Sequence, residues 1–399
     1  MKQPIKKKEF KKPTIADFKA KHGLTATPTN LAVSSANKPI DFYVMPEAFT
    51  EATKLPGIPM GVTTIIHGHS NTGKSLLKNC LIASAQRKGC VPVVIETENN
   101  FSFQFAIDCG MRAEPIYGDV EVEHIDEETG EVTYTTENQI IDYSGDFLYY
   151  NSAMLVEKYG DFDHSKGVKT SKRRKYPVIE DVAMLMNELL DAQENGEINQ
   201  PLLFIWDSVG SIPSYASLMS NKANSMWDAK AMQESFNILL NSRIAGSRSL
   251  SAPYTNTFVA VNKVWLDSMS SPMAAPSLAL KGGSALTYAA RLTILVGGVI
   301  KASTKRLTAT SKGEEYTYGQ VTKIKVIKNQ LDSPYNLTYS GTFCCVPNGM
   351  VSETKLDEYK KANISKILKQ LQSQLADKGE KAESIKEEDI VFTEEENEE

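Results

Sequence analysis

The sequence lacks any apolar segment long enough to cross a lipid bilayer. No apolar run approaches the roughly 18 residues that a transmembrane helix requires. The first residues are rich in lysine but contain no apolar stretch of the kind found in secretory signals. These absences argue against a membrane-spanning or secreted protein, and we expect a cytoplasmic protein without membrane partners.

Cysteine is also scarce, and the cysteines do not follow the spacing of a metal site or a disulfide framework. The five cysteines are Cys80, Cys90, Cys109, Cys344 and Cys345. Their number is odd, and no two of them form a C-x-x-C pair, which argues against a disulfide framework or a zinc site. We therefore expect reduced thiols, as in proteins of a reducing compartment.

Each end of the chain is depleted in charge of one sign. The first 21 residues hold eight lysines against Glu9 and Asp17, whereas residues 377–399 hold eleven acids and three lysines. Because the whole chain carries a net charge of −5, removing this −8 segment leaves the rest at +3. A basic head and an acidic tail suit a protein that contacts polyanions and partly screens itself, although ordinary solvated ends would give the same pattern.

What remains is the composition of an ordinary globular protein. Apolar residues make up 41% and charged residues 23% of the chain. A length of 399 residues favours one large domain or two modest ones.

A glycine-rich segment between a predicted strand and a predicted helix organises the chain. It consists of Gly68, His69, Ser70, Asn71, Thr72, Gly73, Lys74 and Ser75, and matches G-x-x-x-x-G-K-[ST]. Residues 62–67 are β-branched and predict the strand, and the periodicity of residues 76–83 predicts the helix. In such a loop, backbone N–H groups and the helix N-terminus hold phosphate, Lys74 reaches the β- and γ-phosphates, and Ser75 ligates Mg²⁺. We predict an ATP site with Mg²⁺, to which Leu76 also contributes.

Two glutamates lie at the carboxyl end of the next predicted strand, which spans residues 91–96. Carboxylates at the carboxyl end of a buried strand beside a phosphate loop are candidates to orient or deprotonate an attacking water. Glu96 and Glu98 are both candidates, because alternate residues of a strand point to opposite faces.

A second apolar strand ends in an aspartate. The continuous apolar run of residues 201–206 predicts a strand that is buried on both faces of a parallel sheet. Asp207 follows it directly, where an acceptor for Mg²⁺ or its bound water belongs in a phosphate-loop NTPase.

The remaining segments contain predicted insertions and loops. Residues 119–136 alternate as an exposed hairpin does, and residues 313–318 predict a turn before the last core strand, residues 321–327. The loop 160–177 contains Lys172-Arg173-Arg174-Lys175, which either touches a phosphate backbone or is a solvated loop tip. Residues 212–225 and 264–283 predict loops, and the second is long enough to be either functional or disordered.

The order of several short blocks resembles that of the RecA recombinase family, and more narrowly the RecA-like recombinases of bacteriophages. The blocks are L-P-x-x-P-M-G at 55–61, the phosphate loop, E-T-E-N at 96–99, D-S-V at 207–209, N-K at 262–263 followed by G-G-S-A-L at 282–286, and K-V-I-K-N-Q at 325–330. The resemblance covers about residues 49–341. Any one block is weakly specific, whereas the ordered set is specific.

For nucleotide chemistry, the resemblance implies a role for four positions. Glu98 stands where the family has its catalytic glutamate, and Phe105 stands where an aromatic ring stacks on adenine. Lys263 replaces a glutamine that senses the γ-phosphate in the bacterial enzymes. Lys328 matches the first of two lysines that reach the ATP of a neighbouring subunit, and Gln330 replaces the second, so we expect slower ATP turnover.

For DNA, the resemblance implies two binding loops. Residues 211–225 resemble the first loop, with Met226 near its end, and residues 264–281 resemble the second loop. The residues we expect to contact DNA are Met226, Lys230, Trp265, Lys281, Gly282 and Gly283. The implied partners are single-stranded DNA, homologous duplex DNA, further copies of this chain in a helical filament, and single-strand-binding and loader proteins.

The predicted fold is α/β, a RecA-like phosphate-loop NTPase core with a mainly parallel central sheet flanked by helices. We expect a basic arm with a short polymerisation helix at 1–45, the core at 46–350, a reduced helical C-terminal region at 351–376 and a disordered acidic tail at 377–399. The implied function is that of an ATP-dependent recombinase, a DNA-dependent ATPase in the cytoplasm of a bacterium or of a phage-infected host. The alternative is a hexameric helicase, against which the short segment before the core and the G-G-S-A-L block argue.

Overall fold

The computed structural model describes residues 21, 37–125, 132–221, 225–266, 278–279, 284–298, 304–311, 313–377 and 385–392. The strands among them are β1 (Phe42–Val44), β2 (Gly57–Pro59), β3 (Thr63–Gly68), β4 (Val91–Glu96), β5 (Glu114–Ile125), β6 (Val132–Ser144), β7 (Leu148–Asn151), β8 (Phe162–Asp163), β9 (Val168–Lys169), β10 (Leu202–Asp207), β11 (Thr257–Lys263), β12 (Trp265–Leu266), β13 (Leu278–Ala279), β14 (Ala290–Val296), β15 (Thr304–Ser311), β16 (Glu314–Asn329), β17 (Ser340–Val346), β18 (Gly349–Val351) and β19 (Val391–Phe392). The α-helices are α1 (Glu47–Thr53), α2 (Lys74–Arg87), α3 (Phe103–Asp108), α4 (Ser152–Tyr159), α5 (Ile179–Glu194), α6 (Tyr215–Ser220), α7 (Ser225–Ile238), α8 (Ser284–Ala289), α9 (Leu356–Ala362) and α10 (Ile364–Asp377). A π-helical segment, Leu239–Ile244, continues α7.

One large mixed sheet forms the centre of the molecule. Its strand order is β18-β17-β16-β14-β3-β11-β10-β4-β7, with β15 paired to β16 and β19 paired to β15. The run from β14 to β7 is parallel, whereas β15 to β19 extend the sheet in antiparallel pairs. The predicted class, α/β with helices flanking a central sheet, is confirmed at this level.

Helices cover both faces of the parallel strands. Consecutive residues of β3 show this arrangement, because Ile65 belongs to one apolar cluster and Ile66 to another. The cluster around Ile66 includes residues of α2, and the cluster around Ile65 includes residues of α5 and α7. All six residues of β10 are buried, as the continuous apolar run predicted.

The antiparallel extension has an apolar cluster of its own. Tyr318 of β16, Cys344 of β17, and Ile367 and Leu371 of α10 are buried in it. Phe392 of β19 packs against the same cluster, and β19 pairs with Ala309 and Thr310 of β15. Within the segment 377–399, which the sequence predicted to be a disordered tail, the described residues 385–392 contact the sheet, because Ile385 is buried and Phe392 is partly buried in this cluster.

Three further predictions differ from the structure. The exposed hairpin is longer than residues 119–136, since β5 and β6 extend from Glu114 to Ser144. The predicted loop 212–225 contains helix α6, which Ser214 caps by accepting a hydrogen bond from the Ser217 amide. Residues 314–318 belong to β16 and not to a turn, because β15 lies before them and pairs with them. Among the described residues, every helix is too short or too polar to cross a bilayer.

Candidate functional site

The predicted phosphate loop joins the end of β3 to the start of α2. Gly73 has φ 96° and Asn71 has φ 59°, so the loop turns through the left-handed region just before the helix begins at Lys74. A 14-residue helix then follows, and its first N–H groups face the loop. This strand–loop–helix geometry provides backbone donors and a positive helix end for an anion.

Both glycines of the motif stand where a side chain would not fit. A Cβ at Gly68 would lie 2.4 Å from the carbonyl oxygen of Val296, and one at Gly73 would lie 2.6 Å from Sγ of Cys345. The Thr72 hydroxyl, which is buried, donates to the His69 carbonyl at 2.9 Å. The Lys74 ammonium donates to the same carbonyl. The loop is therefore closed on itself and packed against β14 and β17.

A cleft of about 530 Å³ opens beside the loop. Its lining includes Asn71, Thr72, Gly73, Lys74, Ser75, Leu76 and Phe105, together with residues of β16 and β17. The structure thus brings Phe105 beside the phosphate loop, as the resemblance implied. Gln320 of β16, which sequence reasoning missed, donates to the Asn71 carbonyl at 2.7 Å.

The parallel register brings the other predicted residues to the same edge of the sheet. Lys263 at the end of β11 pairs with Gly68, and Asp207 at the end of β10 pairs with Glu96 at the end of β4. Four adjacent strands, in the order β3, β11, β10 and β4, therefore end at the same edge of the sheet. Their carboxyl ends carry the phosphate loop, Lys263, Asp207 and Glu96, respectively. Convergence of polar groups at the carboxyl ends of parallel strands is the usual position of a ligand site in such sheets.

The two glutamates left open by the sequence have different surroundings. Glu96 is fully buried, and its carboxylate accepts hydrogen bonds from the amides of Glu98 and Asn100 at 3.1 and 3.0 Å. Glu98 lines a separate cavity of about 370 Å³ together with Ser208 and Lys263. Glu96 therefore holds the turn, whereas Glu98 presents its carboxylate to a space that a reactant can enter.

Glu98 is kept ionised by two neighbours. Burial raises its pKa, but the hydrogen bond from the Ser208 hydroxyl and the ammonium of Lys263, 3.1 Å away, outweigh burial, so the pKa is lowered overall. Burial lowers the pKa of Lys74, and the nearby Asp207 and Glu98 oppose that effect. The site therefore combines an ionised carboxylate with the loop lysine.

Asp207 forms a buried ion pair that the sequence did not predict. Its Oδ2 is bonded to the ammonium of Lys78, and the two side chains are 8% and 2% exposed. Lys78 lies one helical turn after Lys74, on the buried side of α2. The available signal was a lysine, Lys78, among the apolar residues of the predicted helix. Because lysine is rarely buried without a partner, its position indicates a buried acidic partner.

The residues present fit a magnesium–phosphate complex better than an all-protein metal cage. Ser75 is exposed at the first turn of α2, next to Lys74. In the described part of the chain, His, Cys, Asp and Glu do not gather in threes around a possible cation site. Mg²⁺ commonly keeps several waters and takes few protein ligands besides substrate phosphates. Ser75 and Asp207, the latter through water, are the residues here that match that pattern.

The remaining predicted residues lie away from the loop. Lys328 of β16 pairs with Thr293 of β14, and Thr293 pairs with Ile65 of β3. Lys328 is therefore level with Ile65, which precedes Gly68 by three residues. Its ammonium donates to the Thr287 carbonyl at 2.7 Å, and burial, with Arg291 nearby, lowers its pKa. Lys328 and the loop of the same subunit are therefore not brought together.

The predicted DNA-contacting residues are only partly described. Met226 is 77% exposed at the start of α7, and Lys230 forms an exposed ion pair with Glu234 at 3.6 Å. Trp265 lies on β12 and pairs with Ala279 of β13. Lys281, Gly282 and Gly283 lie outside the described residues.

Comparison with protein-family models and with curated protein sequences gives no match for this chain.

Proposed function

We propose that this chain is an ATP-dependent DNA recombinase with a RecA-like core, which polymerises on single-stranded DNA and exchanges it with a homologous duplex. One observation carries the proposal. The phosphate loop, Lys263, Asp207 and Glu98 converge at the carboxyl ends of four adjacent strands, in the order β3, β11, β10 and β4. The spacing of these strands supports a nucleotide that runs from the Phe105 cleft past the loop towards Glu98.

The loop residues would bind the nucleotide. Backbone N–H groups of residues 71–75 and the positive end of α2 favour the phosphates, and Lys74 adds a cation within reach. Phe105, half-buried at the cleft, supports a stacking role against the base. Mg²⁺, when bound, would neutralise charge on the phosphate oxygens.

Glu98 would orient and polarise the attacking water. Its carboxylate is ionised because Ser208 and Lys263 bind it, and it faces an open cavity. Lys263 would then stand between the glutamate and the γ-phosphate position, so it can respond to both. This arrangement supports hydrolysis by positioning and electrostatics, which dominate phosphoryl transfer.

The ordered sequence blocks and the position of Lys328 favour a recombinase among ATPases of this architecture. Lys328 lies on the same sheet as its own loop but is displaced towards the amino ends of the parallel strands. A cation in that position would serve the ATP of a neighbouring subunit, as the resemblance implies. Exposed Met226 at the start of α7 supports the placement of a DNA-binding loop on that side.

The experiment that tests the proposal uses Lys74→Ala. We expect loss of ATP hydrolysis and strand exchange, whereas Lys88→Ala, which removes a partly exposed lysine just after the end of the same helix, leaves both unchanged. Strand exchange at the full rate by a Lys74→Ala protein that binds no nucleotide would contradict the mechanism.

Electron microscopy of the protein with single-stranded DNA and a slowly hydrolysed ATP analogue separates the two assembly classes. Continuous helical filaments support the recombinase. Closed six-membered rings would support a hexameric helicase instead, and unwinding of a forked duplex would then be the assay.

A further inference from the structure

The basic segment Lys172–Lys175 is not a uniform solvated loop tip. Arg174 turns inward, and its guanidinium donates to both carboxylate oxygens of Asp181 at 2.8 and 3.0 Å and to the Tyr159 carbonyl at 2.7 Å. Asp181 is fully buried, and His164 lies 2.7 Å from it on another side. This clamp fixes the insertion 160–177 to the start of α5 and removes Arg174 from any external contact.

The residues on either side of Arg174 face outward instead. Arg173, Lys175 and Tyr176 line one wall of a cleft of about 900 Å³. All three are exposed, Tyr176 by 62%, and among the described residues neither Arg173 nor Lys175 has an ion-pair partner. The stem of Arg173 packs on Gly160, where a Cβ would lie 2.8 Å from its Cγ. The clamp therefore presents two uncompensated cations and an aromatic ring at one place.

The turn that carries Glu98 also lines this cleft. Thr97 and Asn99, on either side of Glu98, line the cleft together with Ser211. The Thr97 and Ser211 hydroxyls are 2.6 Å apart, and the Trp206 indole donates to the Thr97 hydroxyl at 3.1 Å. A ligand in the cleft therefore touches a hydrogen-bonded turn whose next residue is Glu98.

The same cleft continues into the first predicted DNA loop. Ile212, Pro213 and Leu218 line it next to Ser211. Among the described residues of the lining, Glu157 of α4 is the one acidic side chain, and it is exposed. The lining thus combines cations, an exposed aromatic ring and apolar side chains, the set that holds a nucleic-acid backbone and an unstacked base.

We propose that this cleft binds a segment of single-stranded DNA, with Arg173 and Lys175 on its phosphates and Tyr176 stacked on a base. The cations and the aromatic ring of this site come from the insertion 160–177, outside the two predicted DNA loops, and the site adjoins the first of those loops at Ser211. The inference rests on the proposed function. A single strand fits better than a duplex, because stacking on Tyr176 requires a base that is free of its own stack. DNA in the cleft bears on Thr97 and Asn99, so occupancy is coupled to the position of Glu98 and to ATP hydrolysis.

The test compares two variants that remove the same charge from the same insertion. Arg173→Gln/Lys175→Gln removes both cleft cations and keeps their stems, whereas Lys166→Gln/Lys172→Gln removes two exposed cations that do not line the cleft. Binding of oligothymidylate is measured against salt concentration. Loss of two phosphate contacts should reduce the slope of log affinity against log salt by about 1.4, at about 0.7 per contact on single strands. The control should keep the wild-type slope.

Stacking and coupling are tested separately. Tyr176→Ala should weaken oligothymidylate binding by about 5- to 150-fold, the range of one lost base–aromatic stack. Arg173→Gln/Lys175→Gln should lower the stimulation of ATP hydrolysis by DNA and leave hydrolysis without DNA unchanged. Photocrosslinking of an oligonucleotide that carries 4-thiothymidine should label a peptide containing residues 173–176.

The outcomes separate this inference from the proposed function. If the wild type binds DNA and hydrolyses ATP while the cleft variant matches the control in slope, stimulation and crosslinking, the cleft site is overturned and the recombinase remains. If the wild type binds no DNA, the proposed function itself fails. Unchanged DNA binding in the cleft variant with loss of binding to a protein partner would also overturn the site, because its occupant would then be a protein.

Discussion

The ammonium of Lys263 lies 3.1 Å from Oε1 of Glu98, although β11, which carries Lys263, and β4, which precedes Glu98, are separated by β10. The two side chains meet beyond the end of β10, which ends at Asp207. The hydroxyl of the next residue, Ser208, donates a hydrogen bond to the Glu98 carboxylate. Lys263 is therefore bound to the candidate base. We infer that Lys263 adjusts the base as well as facing the γ-phosphate.

Replacing Lys263 by alanine should move the acid limb of the pH profile of ATP hydrolysis. Burial raises the pKa of Glu98, and Ser208 and Lys263 together lower it. Removing the lysine leaves burial less opposed, so the pKa rises and the carboxylate becomes protonated at higher pH. We expect the decline of ATP turnover on the acid side to begin at a higher pH in Lys263→Ala than in the wild type. Because the wild-type pKa of Glu98 lies below its ordinary value of 4.5, kcat/KM is measured from neutral pH down to about pH 3.5.

Two variants control this measurement. Lys263→Arg keeps a cation beside Glu98 and should keep the wild-type acid limb. Glu98→Gln removes the base, so it should lower turnover by about 10²- to 10⁴-fold on the pH plateau and lose the acid limb that Glu98 causes. A Lys263→Ala profile that superimposes on the wild type after scaling would show that the lysine does not act on Glu98.

The buried pair Lys78–Asp207 should be far more important for stability than an exposed pair. Lys78→Met leaves a buried carboxylate without its cation and should cost about 3–5 kcal/mol in the free energy of unfolding. Lys88→Met is the matched control, because Lys88 and its partner Asp41 are 29% and 64% exposed, and such a pair contributes about 1 kcal/mol or less. Urea denaturation measures both.

The double variant Lys78→Met/Asp207→Leu tests whether the cost comes from the stranded charge. Replacing a buried pair by apolar side chains is often neutral, so this protein should be more stable than Lys78→Met alone. If Lys78→Met were no less stable than Lys88→Met, the ion pair would be contradicted.

The sequence predicted those parts of the site that depend on short-range patterns. The loop from Gly68 to Ser75 is contiguous, and each buried parallel strand is a continuous apolar run, so Asp207 and the pair Glu96 and Glu98 were found as polar residues at strand ends. The pattern left the choice between the two glutamates open, and only the resemblance favoured Glu98. Parallel packing alone then brings strand ends together at one edge.

Long-range partners and exposed elements were not predictable in the same way. The Lys78–Asp207 and Lys263–Glu98 pairs join residues far apart in sequence, and no local pattern encodes them. The hairpin was predicted too short because β6 is exposed along nearly all its length. An exposed strand needs no alternation of apolar and polar residues, so the sequence does not mark where the strand ends. Helix α6 has only six residues, and its Ser214 cap was the one available signal.

Buried His67 should make stability depend on pH. Burial lowers the pKa of His67 from 6.5 to about 4, so the folded protein keeps it neutral. Between these values the unfolded chain binds a proton that the folded chain does not, and stability is therefore lost as pH falls from about 6.5 to 4. The loss attributable to His67 is about 3 kcal/mol at most, at 1.36 kcal/mol per pKa unit.

His67→Gln isolates this contribution. The variant should lose less stability between pH 7 and pH 4.5 than the wild type, as measured by denaturation midpoints at each pH. His124→Gln, a change at an exposed position on the β5–β6 hairpin, should keep the wild-type pH dependence. Equal pH dependence of His67→Gln and wild type would contradict the burial effect.

Gly73→Ala should abolish nucleotide binding for two separable reasons. The position has φ 96°, where an L-residue is strained, and the new Cβ would lie 2.6 Å from Sγ of Cys345. Cys345→Ala removes the collision but not the strain. We therefore expect Gly73→Ala/Cys345→Ala to bind a fluorescent ATP analogue more tightly than Gly73→Ala and more weakly than Cys345→Ala. Identical affinities of Gly73→Ala and the double variant would show that β17 does not press on the loop, and that backbone strain alone makes glycine necessary there.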